Sequence, residues 1–201
     1  MPAAAKAVRA GRPRDARVDR QIVQTSLEVL ASAGFDRFSV EEVSARSGVA
    51  KTTIYRRFPS REELLQGCLE RLNEDIGDRS REGTTRDRLV HALSGIRRSP
   101  GTTMGRVLMH AAAEGVRDPD VASLVHDRVL APRREVLRQI IRDGVARGEI
   151  RKDIDLDAVV PLLVGPMLHL GMWRMCDGVE DVSVDSVVDL MLEGMTPASD
   201  S

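Results

Sequence analysis

The run KTTIYRR at Lys51–Arg57 gathers the side chains of this chain best suited to chemistry. On a helix, Ile54 and Phe58 at i,i+4 turn inward, and Lys51, Thr52, Thr53, Tyr55 and Arg56 turn outward. A short helix showing cations, hydroxyls and one phenol suits the major groove of DNA. Base edges there offer acceptors and methyls, and the flanking phosphates take donors. Thr52 and Thr53 are candidates for base edges, Lys51 and Arg56 for bases or phosphates. Ser39 and Arg61 stand at helix starts that would face the phosphate backbone. Arg57 has a second reading, as the partner of an acidic neighbour. The whole run has one too, as the solvated basic face of an ordinary helical hairpin.

Two helices and a tight turn must hold those side chains. Ser39 has Glu42 three residues on, the spacing of a capping box, so a helix is predicted to start there. Val40 and Val43 give it an apolar face, and Ala45 leaves room for a second helix. Gly48 ends it with a positive φ, and Val49 plugs the turn. The second helix then covers Lys51–Arg57. A preceding helix over about Ala16–Ala33 carries Ile22, Val23, Leu27 and Leu30, and Gly34 stops it. Phe35 and Phe38 supply the large buried area that so small a unit needs. Ser60 with Glu63 caps a fourth helix, predicted to run to about Ile76 as the link to the rest of the chain.

Several of these pieces occur together in a known family. Gly34-Phe35, SVEEVSARSGV, KTTIYRRF and PSREELL, with GRPR at Gly11–Arg14 ahead of them, resemble the DNA-binding domain of the TetR family of bacterial transcription regulators. The resemblance implies a homodimer and a larger domain enclosing a small-molecule pocket, whose occupancy moves two reading heads apart. It also implies a phosphate contact for Tyr55. One departure is Ala50, where the family often has a serine cap; its loss weakens the helix start by about 0.5–2 kcal/mol. PRREVLRQIIRDGVARGEIRKDIDLD, followed by an apolar helix, resembles one subgroup of TetR-like C-terminal domains and bears on architecture only.

Composition agrees with an all-α protein. Of 201 residues, 42% are hydrophobic and 2% aromatic, and no stretch alternates with a period of two. About nine to ten helices are expected. They form an N-terminal three-helix helix-turn-helix domain and a helical ligand-binding and dimerisation domain. The expected boundaries are a flexible basic arm at 1–14, a DNA-binding domain at 15–61 and a C-terminal domain at 62–201. Met1–Arg61 holds 12 Lys+Arg against 6 Asp+Glu, and the remainder 18 against 25, so a head of +6 sits on a body of −7. That split fits a head that meets a polyanion. Arg12 and Arg14 in the arm can reach an adjacent groove or phosphate, or serve only as a solubilising tail. Cys68 and Cys176 lack metal or CxxC spacing and read as reduced core residues, with a redox pair as the alternative. Met1–Ala10 has no apolar segment of the kind a secretory signal carries, so a cytoplasmic protein is expected.

In the body, helices are predicted over Thr85–Arg98, about Thr102–Val116 (Val107, Leu108, Ala111 and Ala112 inward), Asp118 through Val129, and Pro132–Arg147. Ser99-Pro100-Gly101 breaks the first from the second, and Gly148 closes the last. Leu156–Cys176, capped by Asp155, is the most hydrophobic segment. A membrane span is rejected there because His169 and Arg174 interrupt it, two prolines break it and its apolar core is short. Burial on two sides, against its own domain and against a partner, explains it instead. With the last helix, about Val184–Met195, it is expected to form the four-helix seam of a homodimer.

Candidate effector-pocket residues are Met104, Met109, His110, Glu114, Met167, His169, Met172 and Trp173, each with plain core packing as its alternative. His110 and Glu114 at i,i+4 are two ligands, which do not make a zinc site. No metal and no cofactor is expected. No nucleophile elbow, zinc-protease, phosphate-loop or dinucleotide motif is present, so no enzyme is expected. The resulting expectation is a homodimeric regulator that represses from a pseudo-palindromic operator and is released by an unknown small molecule. The alternatives are a regulator of the same fold without a small-molecule ligand, and a helical binding or catalytic protein with an incidental basic head.

Overall fold

The computed structural model describes residues 16–73, 83–173 and 182–196, and every regular element among them is helical. The arm with Arg12 and Arg14, the expected end of the fourth helix, Arg174 and Cys176 lie outside the described residues.

The head is built from α1 (Ala16–Ala33), α2 (Val40–Ser47), α3 (Lys51–Tyr55) and α4 (Arg61–Arg71). Gly34 at φ 81° stops α1. Ile22, Leu30, Val43, Ile54, Leu64 and Leu69 are fully buried among these helices, with Phe35 and Phe38 beneath them. Ala45 is exposed, so the close approach to α1 is made instead by buried Ser47, whose carbonyl accepts from Gln21 Nε2 at 2.7 Å. The helix α3 ends at Tyr55 rather than Arg57. The amides of Arg57 and Phe58 both fold back on the Ile54 carbonyl, and Pro59 disfavours helical backbone in the residue before it.

The body contains α5 (Thr85–Arg98), a 3-10 turn at Ser99–Gly101, α6 (Thr103–Gly115), α7 (Pro119–Val125), α8 (Ala131–Ala146), α9 (Leu156–Trp173) and α10 (Val184–Glu193). Thr84 and Asp87 form a reciprocal capping box at the start of α5. Its middle packs on α8, α9 and α10. Arg88, 6% exposed, reaches Asp143 of α8 at 2.8 Å and holds that carboxyl below the usual range. Ala112, expected inside, is exposed; α6 buries Gly105, Val107 and Ala111. No break separates α7 from α8. A π-turn, His126–Leu130, joins them, with the Ala131 amide reaching back to the His126 carbonyl. Pro132 explains it. Proline has no N–H to give the Arg128 carbonyl, and its ring would strike that oxygen in an ordinary turn. Asn73 at the end of the head takes up the freed carbonyl through Nδ2.

The helix α9 runs unbroken through Pro161 and Pro166. Neither ring belongs to its buried stripe of Val159, Val160, Leu163, Met167 and Gly171, and packing of that stripe on α5 holds the helix together. At 18 residues it is long and apolar enough to cross a membrane, so the expectation of too short a core is not met. The close approach on α5 accounts for part of its composition: a Cβ on Gly171 would strike the Arg97 carbonyl. Both α9 and α10 lie chiefly against α5, more than against each other.

The hydrophobic cores divide differently from the sequence. The first runs through α1 to α4 and on into α6, α7 and the π-turn by way of Val107, Ala111, Val125 and Val129. The second joins α5, α8, α9 and α10. Cys68 is in the first, where burial pushes its thiol well above the ordinary range and makes it a poor redox centre.

Candidate nucleic-acid interface

The turn between α2 and α3 is fixed by local hydrogen bonds. Ser39 Oγ accepts from the Glu42 amide at 3.2 Å. The Glu42 carboxylate does not return to the cap; it takes Arg46 Nε at 2.6 Å. At the other end Gly48, φ 69°, donates to the Ser44 carbonyl at 3.0 Å. Ser44 Oγ then donates to the Val49 carbonyl at 2.8 Å, and Ser47 Oγ accepts from the Val49 amide at 3.2 Å. Ala50 stands at the N-cap of α3 with no side-chain hydrogen bond. These bonds aim α3 so that Ile54 is buried and the opposite face opens to solvent.

On that face Lys51, Thr52, Tyr55 (43% exposed) and Arg56 project outward, and Thr53 is half-buried beside them. Lys51 Nζ meets Glu41 Oε1 at 2.8 Å, which holds the Glu41 carboxyl below its usual range. Arg56 has no ion pair among the described residues. Arg57 is turned inward and bound to Asp19 of α1, the pairing that was its second reading. Arg61, expected at a helix start facing the phosphate backbone, also has partners within the head. Its Nε donates to the Phe38 carbonyl at 2.9 Å and Nη2 to the Phe35 carbonyl at 2.6 Å, with the guanidinium 5.7 Å above the Phe38 ring. Two donors of one planar fork satisfy two carbonyls of one loop, so Arg61 braces the α1–α2 loop from the start of α4. Ser39 is likewise engaged as a cap. Arg14 lies outside the described residues.

The expected pocket residues do not line one cavity. Met104 borders a cleft of about 580 Å³ between α1, α4, α5, α6 and α8, and also a recess of about 130 Å³ behind it. Met109 and Met172 border a separate apolar groove between α6, α7 and α9. Met167 is fully buried in the second core. His169 and Trp173 stand on the outer face of α9, their rings 6.4 Å apart and tilted at 56°. Glu114 belongs to the junction with the head. Its Oε1 accepts the Phe35 amide at 3.1 Å and Oε2 the Asp36 amide at 2.9 Å, with His110 Nδ1 3.5 Å from Oε1. A selection by residue type missed why: the partners of Glu114 are backbone amides far away in sequence. It also missed Arg71, His91, Arg98 and Arg133, which do line the cleft. No group of three His, Cys, Asp or Glu among the described residues could hold a metal.

Comparison with known proteins agrees with this geometry. The family model for bacterial regulatory proteins of the tetR family matches residues 22–68, and that for the tetracyclin repressor-like C-terminal domain matches residues 80–191. A Bacillus subtilis protein described as an uncharacterized HTH-type transcriptional regulator, YdeS, is 24% identical over 183 residues, 90% of each chain. A protein of Mycobacteroides abscessus, the DNA-binding transcriptional repressor TetR, is 26% identical and covers 74% of this chain and 78% of its own. The crystal structure of the TetR family transcription regulator SCO0332 superimposes with a TM-score of 0.62 at 26% identity, over 90% of this chain and 100% of that one.

Proposed function

Because this chain belongs to the tetR family of bacterial DNA-binding transcription regulators, we propose that it is a homodimeric repressor that lays α3 in the major groove of its operator and lets go when a small molecule fills the body. The observation that carries this reading is the outward face of α3. Lys51, Thr52, Tyr55 and Arg56 are presented to solvent, while Arg57 and Arg61 are engaged within the head and Arg46 is paired with Glu42. Thr52 and Thr53 read base edges; Lys51, Tyr55 and Arg56 hold phosphates or base acceptors.

Dimerisation uses α9 and α10. Opposite its buried stripe, α9 exposes Leu162 (58%), Leu168, Met172 and Trp173 (45%), and α10 exposes Leu190 (69%). A helix apolar on both sides is explained by a second copy on the outer side. Two heads then meet half-sites about 34–36 Å apart, or a multiple of that, on a pseudo-palindrome. The effector site is the cleft of about 580 Å³, which touches Gln24 and Leu27 of the head as well as α5, α6 and α8 of the body. A ligand favouring one arrangement of head and body by about 1–3 kcal/mol lowers operator affinity 5–150-fold.

A gel-shift titration on the DNA upstream of the protein's own reading frame tests the reading. Wild type forms a complex; Thr53→Ala weakens it; Arg56→Gln weakens it and lowers the salt slope by about 0.9 for the lost phosphate contact. In light scattering, wild type has the mass of two chains and Trp173→Glu that of one. A wild-type protein that ignores this duplex at low salt, or that remains a single chain, overturns the proposal.

A further inference from the structure

We propose that Glu41 is a specificity-determining residue of the reading head, an acceptor joined to the donor Lys51, and that the two together select a guanine–cytosine base pair. Glu41 accepts from cytosine N4, and Lys51 donates to guanine O6 and N7. This rests on the reading of α3 as the major-groove helix, and adds a base-contacting residue from α2 and the base pair it takes.

The two carboxylates in the first turn of α2 are used differently. Glu42 turns to Arg46, whose Nη1 goes on to Ser32 of α1 at 3.0 Å. Glu41 meets Lys51, the first residue of α3, instead. The Glu41 side chain is 61% exposed and that of Lys51 50%, so both ends of the pair open to solvent beside the face that displays Thr52, Tyr55 and Arg56. The hydrogen bond from Lys51 favours the ionised carboxylate.

Stability does not explain this pair, because ion pairs so exposed contribute little. Phosphate binding does not explain it either. A carboxylate beside α3 repels the backbone of every duplex and engages a cation that would otherwise neutralise a phosphate. The attraction of a head of +6 for a polyanion is weakened by it on DNA of any sequence. An anionic acceptor here offsets that loss only where a base edge offers a hydrogen-bond donor. In the major groove those donors are the amino groups of cytosine and adenine.

The spacing chooses between them. Lys51 Nζ and Glu41 Oε1 stand 2.8 Å apart, a donor next to an acceptor. On the edge of a guanine–cytosine pair, O6 and N4 stand side by side as acceptor and donor, joined by their own hydrogen bond of about 2.9 Å. The two edges are complementary atom for atom. Guanine N7, beside O6, then takes another of the three donors of the ammonium. An adenine–thymine pair also sets a donor beside an acceptor, but thymine O4 is flanked by a methyl group and leaves the ammonium a single partner there.

The test uses the full-length protein. Wild type and Glu41→Ala each select duplexes from a random-sequence library. Wild type is expected to return a pseudo-palindrome with a guanine–cytosine pair at one fixed position of each half-site. Glu41→Ala returns the same pseudo-palindrome with that position relaxed. Fluorescence anisotropy at one salt concentration then compares the selected duplex, the same duplex with that pair changed to adenine–thymine, and an unrelated duplex. The change weakens wild type about tenfold and leaves Glu41→Ala unaffected. Glu41→Ala also binds the unrelated duplex more tightly than wild type does, since an anion has left the face. A residue that only supported the fold would shift all three duplexes together. Glu28→Ala removes the same charge from an exposed position of α1 and keeps the base preferences of wild type. The proposal is overturned if Glu41→Ala selects as stringently as wild type at every position, if it weakens all three duplexes by one factor, or if the position it relaxes is not guanine–cytosine. Those outcomes leave the reading of α3 standing, whereas a wild type that selects no sequence at all defeats that reading too.

Discussion

Replacing Glu114 by alanine isolates the joint between body and head. The wild-type carboxylate reaches from the last turn of α6 and accepts two amides of the α1–α2 loop, Phe35 at 3.1 Å and Asp36 at 2.9 Å. A hydrogen bond to a charged acceptor contributes about 1.5–3 kcal/mol when shielded from water. The Phe35 amide is partly buried and keeps most of that, whereas the Asp36 amide is exposed and keeps a fraction. The sum is about 2–3 kcal/mol of stability lost on truncation. Gly34 belongs to the same joint, since a side chain there would collide with the carboxylate. The assay is urea unfolding followed by circular dichroism, with amide exchange at Phe35 and Asp36 read by NMR. Glu114→Ala is expected to lower the unfolding free energy by about 2–3 kcal/mol and to speed exchange at both amides, and Glu114→Gln, which keeps one acceptor oxygen, to lose about half as much. Because the head retains Ile22, Val43 and Ile54 in its own core, Glu114→Ala still folds. A variant within about 0.5 kcal/mol of wild type, with both amides protected as before, would refute the reasoning.

Three further outcomes follow from the same structure. Glu149 accepts the Thr85 amide at the start of α5 at 3.0 Å and pairs with Arg147 at 2.5 Å; chiefly the guanidinium, then Thr85, lower its carboxyl from 4.5 to about 2. Its contribution is therefore complete above about pH 4.5 and disappears as pH falls toward about 2. Glu149→Gln should melt below wild type at neutral pH, and the gap should close on acidification through that window. A gap independent of pH would dismiss the pair. Ala50→Ser supplies the cap missing from α3, whose N-cap backbone at φ −58°, ψ 138° accommodates one, and should raise stability by about 0.5–2 kcal/mol in thermal melts; no gain would mean the hydroxyl does not reach the turn. Gly171→Ala should destabilise by about 1–3 kcal/mol although alanine is the better helix former, because its methyl meets the Arg97 carbonyl and lies 3.0 Å from Pro100. A stabilised variant would show that α9 and α5 can separate.

The sequence by itself determined the helices and the reading head, because the signals for both are local. Ser39, Gly48, Ser60 and Gly148 act on the backbone within one turn of themselves, and the spacing of Val43, Ile54 and Leu64 states which face is inward. The pairing of Arg57 with an acidic neighbour was one of two readings its position allowed, and the structure takes that one. The structure alone decided what arginine, glutamate and proline do over distance. Arg61 is tied to the carbonyls of the α1–α2 loop, Pro132 in the first turn of α8 widens the turn before it, and Glu114 bonds to amides 79 and 78 residues away. The cleft was hidden for the same reason. Its guanidiniums come from three helices, and a periodic pattern within one helix carries no information about which ends of the others it will meet. Capping and periodicity act through bonds within a few residues. The sites where head, body and ligand would communicate depend on packing between elements, which the chain settles only when it has folded.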